Sequence, residues 1–89
     1  YLNKAAEISK NYVLNNQRYI DDKGFGLTII NVAANDCQDC WSAEIIYELV
    51  GPLNEEGIAE NYFKNVIINL EKEEITEVIW EGQILDINN

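Results

Sequence analysis

Trp41-Ser42-Ala43-Glu44-Ile45-Ile46-Tyr47-Glu48-Leu49-Val50 alternates apolar and polar side chains more cleanly than any other stretch of the chain. Successive side chains of an extended strand point to opposite faces, so Trp41, Ala43, Ile45, Tyr47 and Leu49 share one face. Ser42, Glu44, Ile46 and Glu48 share the other. A strand with one apolar and one largely polar face belongs to an antiparallel sheet covered on a single side.

Upstream lies a polar turn, Asn35-Asp36-Cys37-Gln38-Asp39-Cys40. Before it, Phe25, Leu27 and Ile29 alternate, and Ile30 and Val32 follow on the opposite parity. That pattern predicts a first strand with a bulge near Ile29-Ile30. Asp21-Asp22-Lys23-Gly24 reads as turn chemistry. Residues 2–17 read as one amphipathic helix, with Leu2, Ala5, Ala6, Ile8, Tyr12 and Val13 in a stripe about 160° wide. Asn15 and Asn16 suit its C-terminal end.

Downstream, Gly51-Pro52-Leu53-Asn54-Glu55-Glu56-Gly57 reads as a loop. A third strand runs over about 62–70, with Tyr62, Val66, Ile68 and Leu70 on one parity. A charged turn at Glu71-Lys72-Glu73-Glu74 leads to a fourth strand over about 75–82. Its register is open. One loop length turns Ile75 and Ile79 inward, the other Val78 and Trp80, and the excluded pair then faces out. The expected fold is α+β, a single domain over residues 1–89 with an N-terminal helix packed on a four-stranded antiparallel meander sheet.

With 89 residues the chain has room for one modest core. Sixteen acidic residues against six basic ones give a net charge of −10. That charge opposes binding to nucleic acid through phosphate contacts. No apolar run is long enough for a membrane-spanning helix. The sequence holds no His, the commonest general base and zinc ligand. The chain begins at Tyr1 without Met, as a chain freed of a leader or shortened at its start would.

Cys37-Gln38-Asp39-Cys40 is the sharpest motif. Close pairing in a small domain predicts a local structural disulfide and an extracytoplasmic compartment, whether secreted, periplasmic or cell-surface. Redox catalysis needs a stabilised thiolate, but Asp36 and Asp39 disfavour one, and the βαβ context of thioredoxin-like motifs is missing. Zinc takes about four ligands, which this pair lacks without carboxylates or a second chain. Other carboxylates read as solvated turns and surface. Glu44 and Glu48, four apart on one strand, are about 13 Å apart, too far for paired-carboxylate hydrolysis. No nucleophile elbow or phosphate-binding loop is present. The chain is therefore expected to be no enzyme and to carry no cofactor or metal.

The element order, together with Val66-Ile67-Ile68-Asn69-Leu70-Glu71-Lys72-Glu73-Glu74-Ile75-Thr76-Glu77-Val78, resembles the PepSY-like and cystatin-like group of small secreted domains. In that group an apolar strand, a charged turn and a second strand form the last hairpin. The resemblance implies a helix-on-sheet fold and a role in peptidase inhibition or in regulating a neighbouring domain. The chain departs from the pattern twice. Its last turn carries acidic residues where Gly is usual, and the turn Asn35–Cys40 has no Gln-x-Val-x-Gly sequence.

An excess of apolar residues on the uncovered face points elsewhere. Ile46, Phe63, Ile67 and one of Ile79 or Trp80 are expected there, Trp80 being the choice for a contact residue. Such a patch marks an interaction surface for a protein partner or a second copy of the chain. The leading expectation is a non-catalytic binding module using its outer sheet face or an edge strand. A peptidase-inhibitor-like module and a thiol redox or metal-binding protein acting through Cys37 and Cys40 are the alternatives.

Overall fold

A computed structural model describes residues 2–84. Two helices, α1 (Leu2–Leu14) and α2 (Gln17–Asp22), precede four strands: β1 (Phe25–Ala34), β2 (Cys40–Leu53), β3 (Ala59–Glu71) and β4 (Glu74–Ile84). The strands form one antiparallel sheet in the order β1-β2-β3-β4. The α+β meander expected from the alternation is the observed architecture.

The single helix expected over residues 2–17 is instead two. Asn side chains compete for backbone hydrogen bonds and favour helix ends over helix interiors. Here Asn15 turns its amide back to the Asn11 carbonyl at 2.8 Å. Asn16 leaves helical geometry at φ −80°, ψ 139° and caps α2, its Oδ1 accepting from the Arg18 N–H at 2.9 Å. Asp21 and Asp22 are thus the last turn of α2 rather than a free turn. Lys23 ends the helix in the left-handed region at φ 55°. Gly24 follows because nothing larger fits. A Cβ there would stand 2.6 Å from the Tyr19 ring and 2.7 Å from that of Tyr47.

α1 lies over β1 and β2. Ala5, Ile8, Ser9, Tyr12 and Val13 form its buried stripe at i, i+3, i+4, i+7 and i+8, with Ala6 half-buried beside it. Beneath it the inward residues line up in cross-strand rows. Ile29, Ile45, Val66 and Trp80 make one row, and Val32, Ala43, Ile68 and Val78 the next. Ile45, Val66 and Ile68 are fully buried. Each such side chain contributes about 1.5–3 kcal/mol relative to exposure.

The expected bulge in β1 is present between Ile29 and Asn31, and a second lies between Phe25 and Thr28. Gly26 serves the latter at φ 62°. The open register of the last hairpin resolves through a third bulge. Asn69 pairs with Glu77 and Leu70 with Ile75, leaving Thr76 extra on β4, its hydroxyl donating to the Asn69 carbonyl at 3.1 Å. One inserted residue swaps the parity of everything after it. Ile75, Val78 and Trp80 therefore all face the core, an arrangement that neither unbulged register permits. The turn itself is Lys72-Glu73, with φ 50° and 68°. It takes the left-handed geometry of a two-residue hairpin without glycine.

Ser9 is fully buried, and its hydroxyl has no hydrogen-bond partner. A small residue is needed under α1, but an unpaired buried hydroxyl costs about 1–3 kcal/mol. Ser9→Ala keeps the size and removes the cost. The expected outcome is a gain of about 1 kcal/mol, read as a higher urea midpoint with an unchanged slope.

Candidate binding face

The helices cover one face of the sheet and leave the other open. On the open face β2 presents Ser42, Glu44, Ile46, Glu48 and Val50, and β3 presents Asn61, Phe63, Asn65, Ile67 and Asn69. β4 adds Glu77, Ile79 and Glu81, which pair with Asn69, Ile67 and Asn65. Ile79 is directly opposite Ile67, and Ile67 is the diagonal neighbour of Ile46, which faces Asn65. Phe63, opposite Glu48, is diagonal to both Ile46 and Val50. Diagonal neighbours lie about 7–8 Å apart, within reach of large side chains. The result is one apolar diagonal, Ile79-Ile67-Ile46-Phe63-Val50, running across three strands.

Of the four contact residues expected from sequence, Ile46, Phe63 and Ile67 stand on this face. Trp80 does not. It pairs with Val66, packs against the core and sets its ring edge-on to Tyr47 at 6.1 Å between centroids. The bulge at Thr76 is the cause, and it gives the outward place to Ile79, 39% exposed. The polar neighbours of the diagonal are carboxylates and amides. Asn65 donates to Glu44 at 3.2 Å and Asn69 to Glu77 at 2.9 Å.

The diagonal continues onto an arm that sequence reading takes for a loop. β2 and β3 pair past Val50, with Leu53 opposite Ala59 after an irregularity at Gly51-Pro52. β1 stops opposite Glu48, so this part of β2 has no β1 partner. At fourteen residues, β2 spans about 46 Å, close to the 52 Å long axis of the molecule. The tip closes on Asn54, whose Oδ1 accepts from the N–H groups of Glu56 and Ile58 at 2.9 and 3.0 Å. The turn satisfies its own backbone and leaves Val50, Leu53 and Ile58 outside, more than half exposed each. Gly-Pro is an ordinary loop signal, which hides the arm in the sequence.

At the opposite end of β2, Cys37 and Cys40 form a disulfide across a 5.3 Å Cα separation. Cys40 is buried and pairs with Glu71 of β3. The two neighbouring turns are tied by the Lys72 N–H, which donates to the Asp39 carbonyl at 3.0 Å.

The covered face holds a polar cluster of its own under α2. Asp22 accepts from the Tyr47 hydroxyl at 2.8 Å and from Lys64 Nζ at 2.7 Å. Tyr19 packs edge-on to Tyr47 at 4.9 Å, and the Arg18 guanidinium lies 5.5 Å above the Trp80 ring. Burial pushes the Asp22 carboxyl upward, but the hydrogen bonds from Lys64 and Tyr47, with the charges of Lys64 and Arg18, outweigh it and hold the carboxyl below its ordinary value. Burial first, then the bond to Asp22 and its charge, push the Tyr47 phenol well above the usual tyrosine range. Every member has a partner within the cluster, which marks a latch between α2 and the sheet.

No protein-family model, curated protein or solved structure matches the chain.

The latch has a pH signature. A carboxyl whose folded value is depressed stabilises the fold above its unfolded value, about 3.9. That contribution disappears as pH falls through the lower folded value. A raised phenol stabilises below the unfolded tyrosine value, about 10, and its contribution disappears as pH rises through the folded value. Asp22→Asn should cost about 1–3 kcal/mol at neutral pH. Urea midpoints of the two proteins should converge as pH falls from about 6 to about 2. A constant difference across that range would show that the Asp22 charge contributes nothing.

Proposed function

We propose that the chain is a non-catalytic binding module of an extracytoplasmic compartment, and that its open sheet face takes a cationic protein surface bearing apolar side chains. The observation that carries this reading is the apolar diagonal and its border. Glu44 and Glu48 flank it on β2, and Glu77 and Glu81 on β4, while none of the described residues on that face is Lys or Arg. Apolar anchors supply affinity, and the bordering carboxylates supply orientation and encounter rate. A second copy fits poorly, since it would set the same glutamates against each other in a molecule already at −10. The disulfide supports an oxidising compartment.

The test uses two synthetic amphipathic peptides of equal apolar content, one with lysine and one with glutamate on the polar face. Heteronuclear NMR should show the lysine peptide shifting Ile46, Phe63, Ile67 and Ile79, and the glutamate peptide shifting nothing. Ile67→Ser should weaken the lysine peptide about tenfold, equivalent to about 1.4 kcal/mol. Glu44→Gln should mainly flatten the salt dependence of binding. Shifts centred on the helices, or sedimentation showing a dimer lost in Ile67→Glu, would overturn the reading.

A further inference from the structure

The disulfide end of the sheet combines three ligand-type side chains from two different turns. The sulfurs of Cys37 and Cys40 and a carboxylate oxygen of Glu71 all lie within 4.8 Å of one another. Sequence spacing offers only the two sulfurs. Glu71 joins them because the meander places the start of β2 against the end of β3, with Cys40 directly opposite Glu71.

Backbone hydrogen bonds hold these groups alongside the sulfur–sulfur bond. The Asn35 N–H donates to the Cys40 carbonyl at 2.7 Å and the Cys40 N–H to the Cys37 carbonyl at 3.2 Å. Lys72 ties the Glu71 turn to Asp39, as described above. With the disulfide broken, these hydrogen bonds are what would hold two thiols and a carboxylate together at the hairpin ends. Cys37 and Glu71 are exposed, so an ion can enter. Asp36, Asp39, Glu73 and Glu74 lie in the same two turns, against a single cation, Lys72. The local field favours a divalent cation.

We propose that the reduced form of this end is a zinc site with Cys37, Cys40 and Glu71 as ligands, and that the disulfide and the metal exclude each other. A dithiol reductant supplies two electrons and two protons. The Cys37–Cys40 bond breaks, two thiols form, and the reductant closes its own disulfide. Zinc then displaces both thiol protons into solvent and forms two Zn–S bonds and one Zn–O bond to Glu71. Water fills the fourth tetrahedral position. Two thiolates, one carboxylate and the ion sum to −1, a smaller charge than the deprotonated ligands alone carry. Reoxidation by a disulfide such as oxidised glutathione reverses the sequence and releases the ion. The resting, disulfide form described above holds no thiolate and binds no zinc there.

Co²⁺ is the spectroscopic probe. The whole chain is reduced with dithiothreitol, desalted without oxygen and titrated with Co²⁺, its fold followed by circular dichroism. The expected result is one Co²⁺ per chain, with a thiolate charge-transfer band and the visible bands of a tetrahedral ion. Zn²⁺ should displace the cobalt, oxidised glutathione should release it, and the oxidised chain should give no such spectrum. Glu71→Gln should weaken Co²⁺ at least about tenfold. Cys37→Ser should abolish the charge-transfer band. Absence of the band in the reduced chain overturns the proposal. So does one ion shared by two chains, or equal affinity in Glu71→Gln. Loss of the fold on reduction that Co²⁺ does not restore overturns it as well, because the site requires both turns in place.

Discussion

Tyr47 is the side chain on which the two ends of the covered face depend. It is fully buried in β2, two residues along the strand from the equally buried Ile45. Its ring meets Tyr19 of α2 on one side and Trp80 of β4 on the other. Its hydroxyl reaches Asp22, which Lys64 also grips. A six-residue helix has too few internal hydrogen bonds to persist alone. Tertiary contact to Tyr47 is what makes α2 a helix. The Trp80 ring that the Thr76 bulge turns inward packs edge-on against the same side chain.

That inward packing produces the candidate binding face by exclusion. The covered side takes Ile75, Val78 and Trp80, and the open side receives Glu77, Ile79 and Glu81. The face is apolar along a diagonal and acidic beside it. The latch absorbs Lys64 and Arg18 on the covered side, which leaves the open side with carboxylates uncompensated by any described neighbour on that face. Segregation of charge between the faces follows from packing, and the proposed cationic partner follows from that segregation.

β2 also joins two distant features of the fold. Its fourteen residues carry the arm at one end and reach Cys40 of the disulfide at the other. The arm is held by its own Asn54 turn, and the cysteine end by backbone bonds between adjacent turns. The two ends are held by separate sets of hydrogen bonds.

Much was legible in the sequence because period-two alternation is local. The faces of β2 and β3, the bulge at Ile29-Ile30, the apolar stripe of α1 and the open-face places of Ile46, Phe63 and Ile67 all follow from spacing within one element. What only the tertiary structure decided involves a second element each time. The break at Asn15-Asn16 is weak by propensity and is settled by Tyr19 and Asp22 docking on β2. The bulge at Thr76 is invisible in composition, yet it reverses the parity that separates Ile79 from Trp80. Glu71 is one acidic residue among many until strand pairing sets it opposite Cys40. Local periodicity determines which way a side chain points within its own strand. Pairing and packing between elements determine which groups meet, because they satisfy hydrogen bonds and bury area that no single element contains.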